Sequence, residues 1–257
     1  MKILEMLRKR MLMPIIFIVL FALAFIFDSP EEIALGYLEI LQSPSVLISD
    51  YLRIGGLGAT LFNVATIILL NTLILKKLGF TMTGPIFAGV MTIAGFSFFG
   101  KTIFNTLPIY LGIYLYARTQ KLEFKSFIIV ILFSTGISPL VSFMIFGTGW
   151  PLYYGIPAGI LAGVIAGFVL PAFSAHTIRF HRGYNLYNIG FALGVLSMIF
   201  AVVLHGFNVE LNVGGPTSEA YHLELVIITF ALSTIFLVSA FLSDKKVLKQ
   251  YPKLLKS

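Results

Sequence analysis

The chain has 257 residues, of which 58% are hydrophobic and 11% are charged, and its formal net charge is +7. Soluble domains have about 45–50% apolar and about 25% charged residues, so this composition excludes a soluble enzyme. The apolar residues form long blocks rather than ten-residue alternating segments, which excludes a β-barrel. We therefore predict an all-α fold, a polytopic transmembrane helical bundle that forms a single integral membrane domain over residues 1–257.

The N-terminal segment combines a basic front, MKILEMLRKR, with an apolar stretch of the kind found in signal peptides. The sequence Asp28-Ser29-Pro30-Glu31-Glu32 follows without an A-x-A-like cleavage site, so residues 1–27 are predicted to be an uncleaved first span. Residues 28–50 are apolar but interrupted, which indicates a helix at the outer surface. Its start is indicated by the hydroxyl of Ser29, by Pro30 and by the acids that follow.

The chain is predicted to contain about six full spans and one broken or re-entrant helix pair. The full spans are expected near residues 11–27, 56–75, 126–146, 155–173, 184–204 and 223–242, and the broken pair at 80–117. If the N-terminus is cytoplasmic, every Lys and Arg except Arg53 and Lys101 lies on the cytoplasmic side. The positive-inside rule then predicts a multi-pass plasma-membrane protein with both termini in the cytoplasm and a basic tail at 243–257. The same basic residues act as topology signals, so no nucleic-acid partner is expected.

Residues 80–117 read as two short or glycine-broken arms that meet at Gly100-Lys101, either as two short spans or as a re-entrant hairpin. Thr83-Gly84-Pro85 and Asn105-Thr106-Leu107-Pro108 both resemble helix starts, with a capping residue followed by proline. Short interrupted helices of this kind indicate binding sites in transporters. Lys101 is either a functional cation at membrane depth or a side chain that snorkels to the outer interface.

A glycine stripe marks the segment GIPAGILAGVIAGFVL, and a shorter one follows on the next span. Glycine at every fourth residue lets a second helix approach closely. We therefore expect these two spans to pack as neighbours. The predicted packing glycines are Gly155, Gly159, Gly163, Gly167, Gly190 and Gly194.

Two asparagines, Asn185 and Asn188, stand three residues apart in HRGYNLYNIGFALG and share a helix face. They either hydrogen-bond another helix or line a path for solute. Before them lies a basic cluster of His176, Arg179, His181 and Arg182. It either anchors the cytoplasmic end at the lipid headgroups or draws anions to a pore.

No metalloprotease, nucleophile-elbow or Walker pattern is present, and no acid lies within a confident span, so we expect no enzyme activity, cofactor or metal. The leading hypothesis is a membrane transporter or channel subunit for a small neutral polar or anionic solute. Its predicted pathway residues are Thr83, Lys101, Asn105, Thr106, Asn185 and Asn188. The alternative is a non-catalytic membrane component that binds a ligand or assembles with other subunits, and the third is an intramembrane enzyme. Expected partners are the lipid bilayer, a small solute, and a second copy of the chain or a partner membrane subunit.

Three stretches carry a resemblance to a known family: IGGLGATLFNVATIILL, GPIFAGVMTIAGFSFFGKTIFNTLPIYLGIYLYA and HRGYNLYNIGFALG. In this order they resemble a family of bacterial polytopic membrane proteins known as a domain of unknown function, over roughly residues 50–200. Members of that family tend to carry these motifs twice. The resemblance implies a half-length chain that depends on a partner or on dimerisation.

A weaker resemblance links Gly183-Tyr184-Asn185, with Gly190 and Gly194, to urea-transporter-like channels. These channels combine two similar halves with re-entrant half-helices. The resemblance implies neutral polar solutes as substrates, although a likeness of fold does not establish function.

Overall fold

The computed structural model describes residues 2–45, 49–182, 188–209 and 217–243. These residues form ten α-helices and no strand, which confirms the all-α class. The helices are α1 (Lys2–Phe27), α2 (Pro30–Gln42), α3 (Tyr51–Lys77), α4 (Gly84–Phe96), α5 (Ile103–Thr119), α6 (Ile128–Ser134), α7 (Pro139–Ser142), α8 (Leu152–His181), α9 (Asn188–Gly206) and α10 (His222–Ser243). Short 3₁₀ turns at Phe124–Phe127 and Thr135–Ile137 and a π-helix at Phe143–Gly147 flank α6 and α7.

Four of these helices, α3, α8, α9 and α10, are long and apolar enough to cross a membrane. Two bent helix pairs raise the number of candidate spans in the described residues to six. One pair joins the end of α1 to α2 at 110°, and the other joins Phe124–Ile137 to Pro139–Gly147 at 41°. The protein is therefore a polytopic helical bundle.

The described residues fall into two compact units, one of residues 2–9 with 218–243 and one of residues 10–217. The first unit contains α10, a 22-residue apolar helix that begins at His222. The second contains α2 to α9 and most of α1. Of the predicted basic tail at 243–257, only Ser243 lies within the described residues.

Near the start of the second unit, the chain turns sharply between α1 and α2. Ser29 caps α2 and forms a capping box with Glu32, which confirms the helix start predicted from the sequence. Helix α2 then crosses α3, with Gly36 against the backbone of Gly55. Helix α3 breaks at Gly56, whose φ of 81° is one that a side chain would disfavour. The Asp28 carboxylate accepts a hydrogen bond from Gly58 N at 2.6 Å and so caps the part of α3 after the break.

The glycines of α8 lie at close contacts with α5 and with the helix that ends at Gly147. Gly155 and Gly159 face Ile145, and Gly167 meets the carbonyl of Ile109. From the other side, Gly112 of α5 meets the carbonyl of Val164. The chain's own helices therefore fill the glycine stripe, in which Gly163 faces Val141 and Pro108.

The glycines of α9 lie on an exposed face of the helix, and not on the buried face where packing against α8 was expected. Gly190 and Gly194 are exposed, and a Cβ at Gly194 would meet nothing within 4 Å. Helix α9 instead buries Ala192, Leu193 and Leu196. Since these residues are offset from Gly190 and Gly194 around the helix, α8 and α9 are neighbours without a shared glycine seam.

The span predicted at 126–146 corresponds to the bent pair Phe124–Ile137 and Pro139–Gly147, so it remains a candidate span but is broken near its centre. Helix α6 ends at Ser134, a 3₁₀ turn covers Thr135–Ile137, and Pro139 begins α7. Proline lacks an N–H and clashes with the preceding turn, so a straight helix is not maintained here. This break adds to the pair at 80–117 and to the break of α3 at Gly56.

Candidate functional site

Two of the helix breaks, the one between α4 and α5 and the one between α6 and α7, meet inside the second unit. One is the turn of residues 97–102 between α4 and α5, in which Gly100 has a φ of 93°. The other is the break at 134–139 between α6 and α7. A hydrogen bond joins them directly, because Lys101 Nζ donates to Thr135 Oγ1 at 2.6 Å.

The turn between α4 and α5 lies part of the way along α3 rather than at its end. After the break at Gly56, α3 continues from Leu57 to Lys77, about 31 Å, which matches the thickness of a bilayer core. Asn63 is about 9 Å along this length, and its Nδ2 donates to the carbonyls of Ser97 and Lys101, both at 2.8 Å. Helix α4 has 13 residues, about 20 Å, and is too short to cross. This geometry favours the re-entrant alternative for residues 80–117.

Side chains of α5 fix the turn on its other side. Thr102 is the N-cap of α5, and it forms a capping box with Asn105. Asn105 Nδ2 also donates to the carbonyl of Gly100 at 3.0 Å and to Ser142 Oγ at 2.9 Å. The helix start expected at Asn105-Thr106 is therefore corrected to Thr102, and Pro108 lies inside α5. The cause is local, since Thr102 and Asn105 satisfy each other's backbone groups three residues apart.

Lys101 is buried, with 2% of its surface exposed, so it does not snorkel to an interface. In addition to its hydrogen bond to Thr135, Lys101 has its Nζ 5.2 Å from the centre of the Phe96 ring, which is a cation–π contact. Among the described residues no carboxylate forms an ion pair with it. Asp50 pairs with Phe99 through the backbone, close in sequence to Lys101, but its carboxylate caps α3 at Leu52 and Arg53.

Several buried hydroxyl and amide groups lie on the segments that meet at Lys101, and some of their atoms have no hydrogen-bond partner in the described residues. Three of the four unpartnered atoms in the described residues, Asn63 Oδ1, Thr106 Oγ1 and Ser138 Oγ, are on completely buried residues of these segments, and the fourth is Thr72 Oγ1, further along α3. Thr106 lies in the first turn of α5. Ser138 lies between Thr135, which binds Lys101, and Ser142, which binds Asn105. Unsatisfied buried polar groups are uncommon in folded proteins, where a water, an ion or a ligand usually satisfies them.

We call this cluster the polar junction. It comprises Asn63, Ser97, Lys101, Thr102, Asn105, Thr106, Ser134, Thr135, Ser138 and Ser142, each at most 4% exposed.

A cavity of about 620 Å³ lies beside the polar junction, between α2, α5, α8 and the segment 141–146. Its only polar lining residues are Gln42, Asn105 and Ser142. Hydrocarbon suits such walls better than a polar solute does. The cavity therefore adjoins the polar junction without being a polar pathway.

The remaining predicted pathway residues lie elsewhere. Thr83 is an exposed N-cap of α4 whose side chain makes no capping bond. Asn188 joins α9 to α8: its Nδ2 donates to the Ser174 carbonyl, and its Oδ1 accepts from Thr177 Oγ1 and contacts His181 Nε2. These contacts favour the interhelical alternative for Asn188. Asn185 lies outside the described residues.

The sequence reasoning missed the contribution of the second break, which supplies Thr135, Ser138 and Ser142. The signal was present in the run Ser134-Thr-Gly-Ile-Ser-Pro139, which combines hydroxyl residues with Gly136 and Pro139. A 3₁₀ stretch inside a helix often marks a functional hinge.

The fold and the polar junction define a multi-pass helical membrane protein with a broken-helix site in its interior. The chain belongs to the family described as "Protein of unknown function (DUF1576)", whose profile matches residues 29–206. No curated protein and no solved structure was found to match the chain. The resemblance to a family of unknown function is thereby confirmed, whereas the likeness to urea-transporter-like channels gains no support.

Proposed function

We propose that the protein is a membrane transporter or channel subunit that passes a small polar or anionic solute through the polar junction. The observation that carries this proposal is the meeting of two broken helices at buried polar groups that lack protein partners. Broken helices expose polar backbone ends at membrane depth, where transporters bind their substrates. The proposed path keeps the predicted lining residues around Lys101 and Asn105. In place of the predicted residues around Asn188, it uses the break at 134–139.

The exposure of the polar junction favours a transporter over an open channel. Lys101, Thr106 and Ser138 are at most 2% exposed, so a solute reaches them only after the surrounding helices move. The breaks supply hinges for such a movement, because 3₁₀ and π segments interrupt the regular hydrogen bonding of the helix at 135–147. Alternating access around a fixed site is the mechanism that this arrangement supports.

The alternative function, assembly with other subunits, was suggested by the glycine stripe of α8, and this stripe is not a free surface. The glycine stripe of α8 is covered by α5 and by residues 141–145 of the same chain. A partner subunit cannot use that stripe without displacing them. Catalysis finds no support in the polar junction, because its ionisable side chain is a lysine surrounded by hydroxyls and amides. We therefore propose transport rather than an enzyme activity.

The test is solute flux into liposomes that contain the purified protein, measured by stopped-flow light scattering. The panel is urea and acetamide as neutral solutes and formate and nitrate as anions. We expect faster entry of at least one of them than into empty liposomes. Ser138→Ala and Thr106→Val should lower that flux about 3- to 10-fold, since each removes one hydrogen bond to the solute.

Two matched variants control for the loss of a buried hydroxyl. Ser174 and Thr60 are also buried and lie outside the polar junction, and their hydroxyls donate to carbonyls of their own helices, Pro171 and Gly56. Ser174→Ala and Thr60→Val should leave the flux within about twofold of the unmodified protein, given the small net worth of one such bond. Equal losses in all four variants, or no loss in any, would place the path elsewhere.

A further inference from the structure

We infer that the polar junction binds a small monovalent anion, held by Lys101 together with the hydroxyls of Thr106 and Ser138. This inference rests on the proposed function and names the substrate class of the same site. It starts from the burial of Lys101, because a lysine removed from water keeps its proton only when a counter-charge compensates for the lost hydration. The described residues supply one hydroxyl and one aromatic ring to it, and no carboxylate.

The hydrogen-bonding capacity of the lysine is only partly used. An ammonium has three N–H donors, and Thr135 Oγ1 accepts one of them. The Thr135 hydroxyl is itself engaged, because it donates to the Leu132 carbonyl at 3.0 Å. Two donors of Lys101 are left for a ligand, and an anion accepts both while it supplies the missing charge.

The unpartnered hydroxyls add to this preference. Thr106 Oγ1 and Ser138 Oγ are completely buried, and each can donate to an anion in place of the protein acceptor that it lacks. Thr106 lies in the first turn of α5, a 17-residue helix, where the helix dipole favours negative charge. The Thr102–Asn105 capping box uses only part of the free N–H groups at this helix start.

A neutral solute fits the same place less well. Such a solute would satisfy the hydroxyls and the Asn63 Oδ1 acceptor, but it would leave the ammonium without a counter-charge. A divalent anion would bring more charge than the single lysine balances. One negative charge per site is the stoichiometry that the described side chains support.

The test measures binding and flux separately. Equilibrium dialysis of the detergent-solubilised protein uses labelled formate as a carboxylate, and labelled chloride and nitrate as inorganic anions. We expect saturable binding of at least one of these ions and at least a tenfold weaker affinity in Lys101→Met. The matched control, Lys125→Met, removes an exposed lysine paired with Glu123 and should bind like the unmodified protein.

Folding of Lys101→Met is checked by size-exclusion profile and helical circular dichroism. If this variant does not fold, Ser138→Ala is used, with an expected several-fold loss of affinity against Ser174→Ala, a control outside the polar junction. Binding of formate alone or of the inorganic ions alone identifies the source of the anion, and either result supports the site. Absent binding of all three ions, or binding unchanged in both variants, overturns it.

The flux panel separates this inference from the proposed function. If urea or acetamide passes while no anion binds or passes, transport stands and the anion site is wrong. If an anion binds through Lys101 while neither that anion nor any solute of the panel passes, the anion site stands and transport is wrong.

Discussion

At the scale of single residues, most buried polar side chains of the second unit have a hydrogen-bond partner in their own helix or in a neighbouring one, and this separates them from the unpartnered atoms of the polar junction. Tyr110 of α5 donates to Asn71 Oδ1 of α3 at 2.7 Å, and both residues are buried. The Asn71 amide nitrogen donates to the Ile67 carbonyl. This pair is complete and offers nothing to a ligand, unlike Thr106 one turn earlier on α5.

The Tyr110–Asn71 bond should contribute to stability and not to transport. Tyr110→Phe removes the donor and leaves Asn71 Oδ1 unsatisfied, so we expect a loss of about 1 kcal/mol in the free energy of unfolding. Unfolding by SDS in mixed micelles measures it. Tyr114→Phe, at an exposed position on the same helix, should change it by less than about 0.5 kcal/mol. Equal losses in the two variants would contradict the assigned role of the bond.

At the scale of helices, close packing of α5 against α8 holds one side of the polar junction in place. Gly112 and Gly167 allow backbone contacts between the two helices that any side chain would prevent. Because α5 carries Thr102, Asn105 and Thr106, the glycines of α8 fix the position of polar groups that they do not touch.

Gly112→Ala should therefore destabilise the protein, because its new Cβ would meet the carbonyl of Val164. Overpacking of this kind costs typically about 1–3 kcal/mol, which outweighs the higher helix propensity of alanine. Gly194→Ala is the control, since a Cβ there meets nothing within 4 Å, and it should be neutral or stabilising. Thermal unfolding in detergent, followed by circular dichroism, compares the two. A Gly112→Ala protein as stable as Gly194→Ala would rule out the proposed α5–α8 contact.

Asn188 distinguishes a packing amide from a pathway amide. Asn188→Ala removes the hydrogen bonds to Ser174 and Thr177, so we expect a loss of about 1–2 kcal/mol, given about 0.6 kcal/mol for an average bond of this kind. Solute flux per folded protein should stay unchanged. The measurements are unfolding in mixed micelles and flux in liposomes. A normal stability with a large loss of flux would return Asn188 to the pathway.

The extent to which the sequence predicts these elements depends on how local each signal is. The start of α2 follows from Ser29, Pro30 and Glu32, which lie next to one another, and the structure confirms it. The break at 134–139 was missed because the residues on both sides are apolar, so the whole segment reads as one span. Asn188 lies on α9 and Ser174 on α8, and no periodic pattern in the sequence predicts that these two residues meet.

At the scale of the whole molecule, the composition and the long apolar blocks predict an all-α bundle, and the described residues confirm it. The polar junction was only half predictable. Lys101 and Asn105 attract notice in an apolar sequence, but Thr135 and Ser142 meet them from 34 and 37 residues away. No spacing rule connects positions so far apart, and tertiary packing decides which of the many buried hydroxyls stays without a partner.

The central claim is that solute passes Ser138, and a single cysteine tests it most directly because the chain contains none. Ser138→Cys is conservative in size, and Ser174→Cys on α8, whose native hydroxyl donates to the Pro171 carbonyl, is the control. Both variants are treated in liposomes with a small thiol reagent while flux is recorded. We predict that modification of Cys at 138 stops the flux and that the transported solute slows the modification, whereas the control keeps its flux. Full flux after complete modification at 138 would contradict a path through the polar junction.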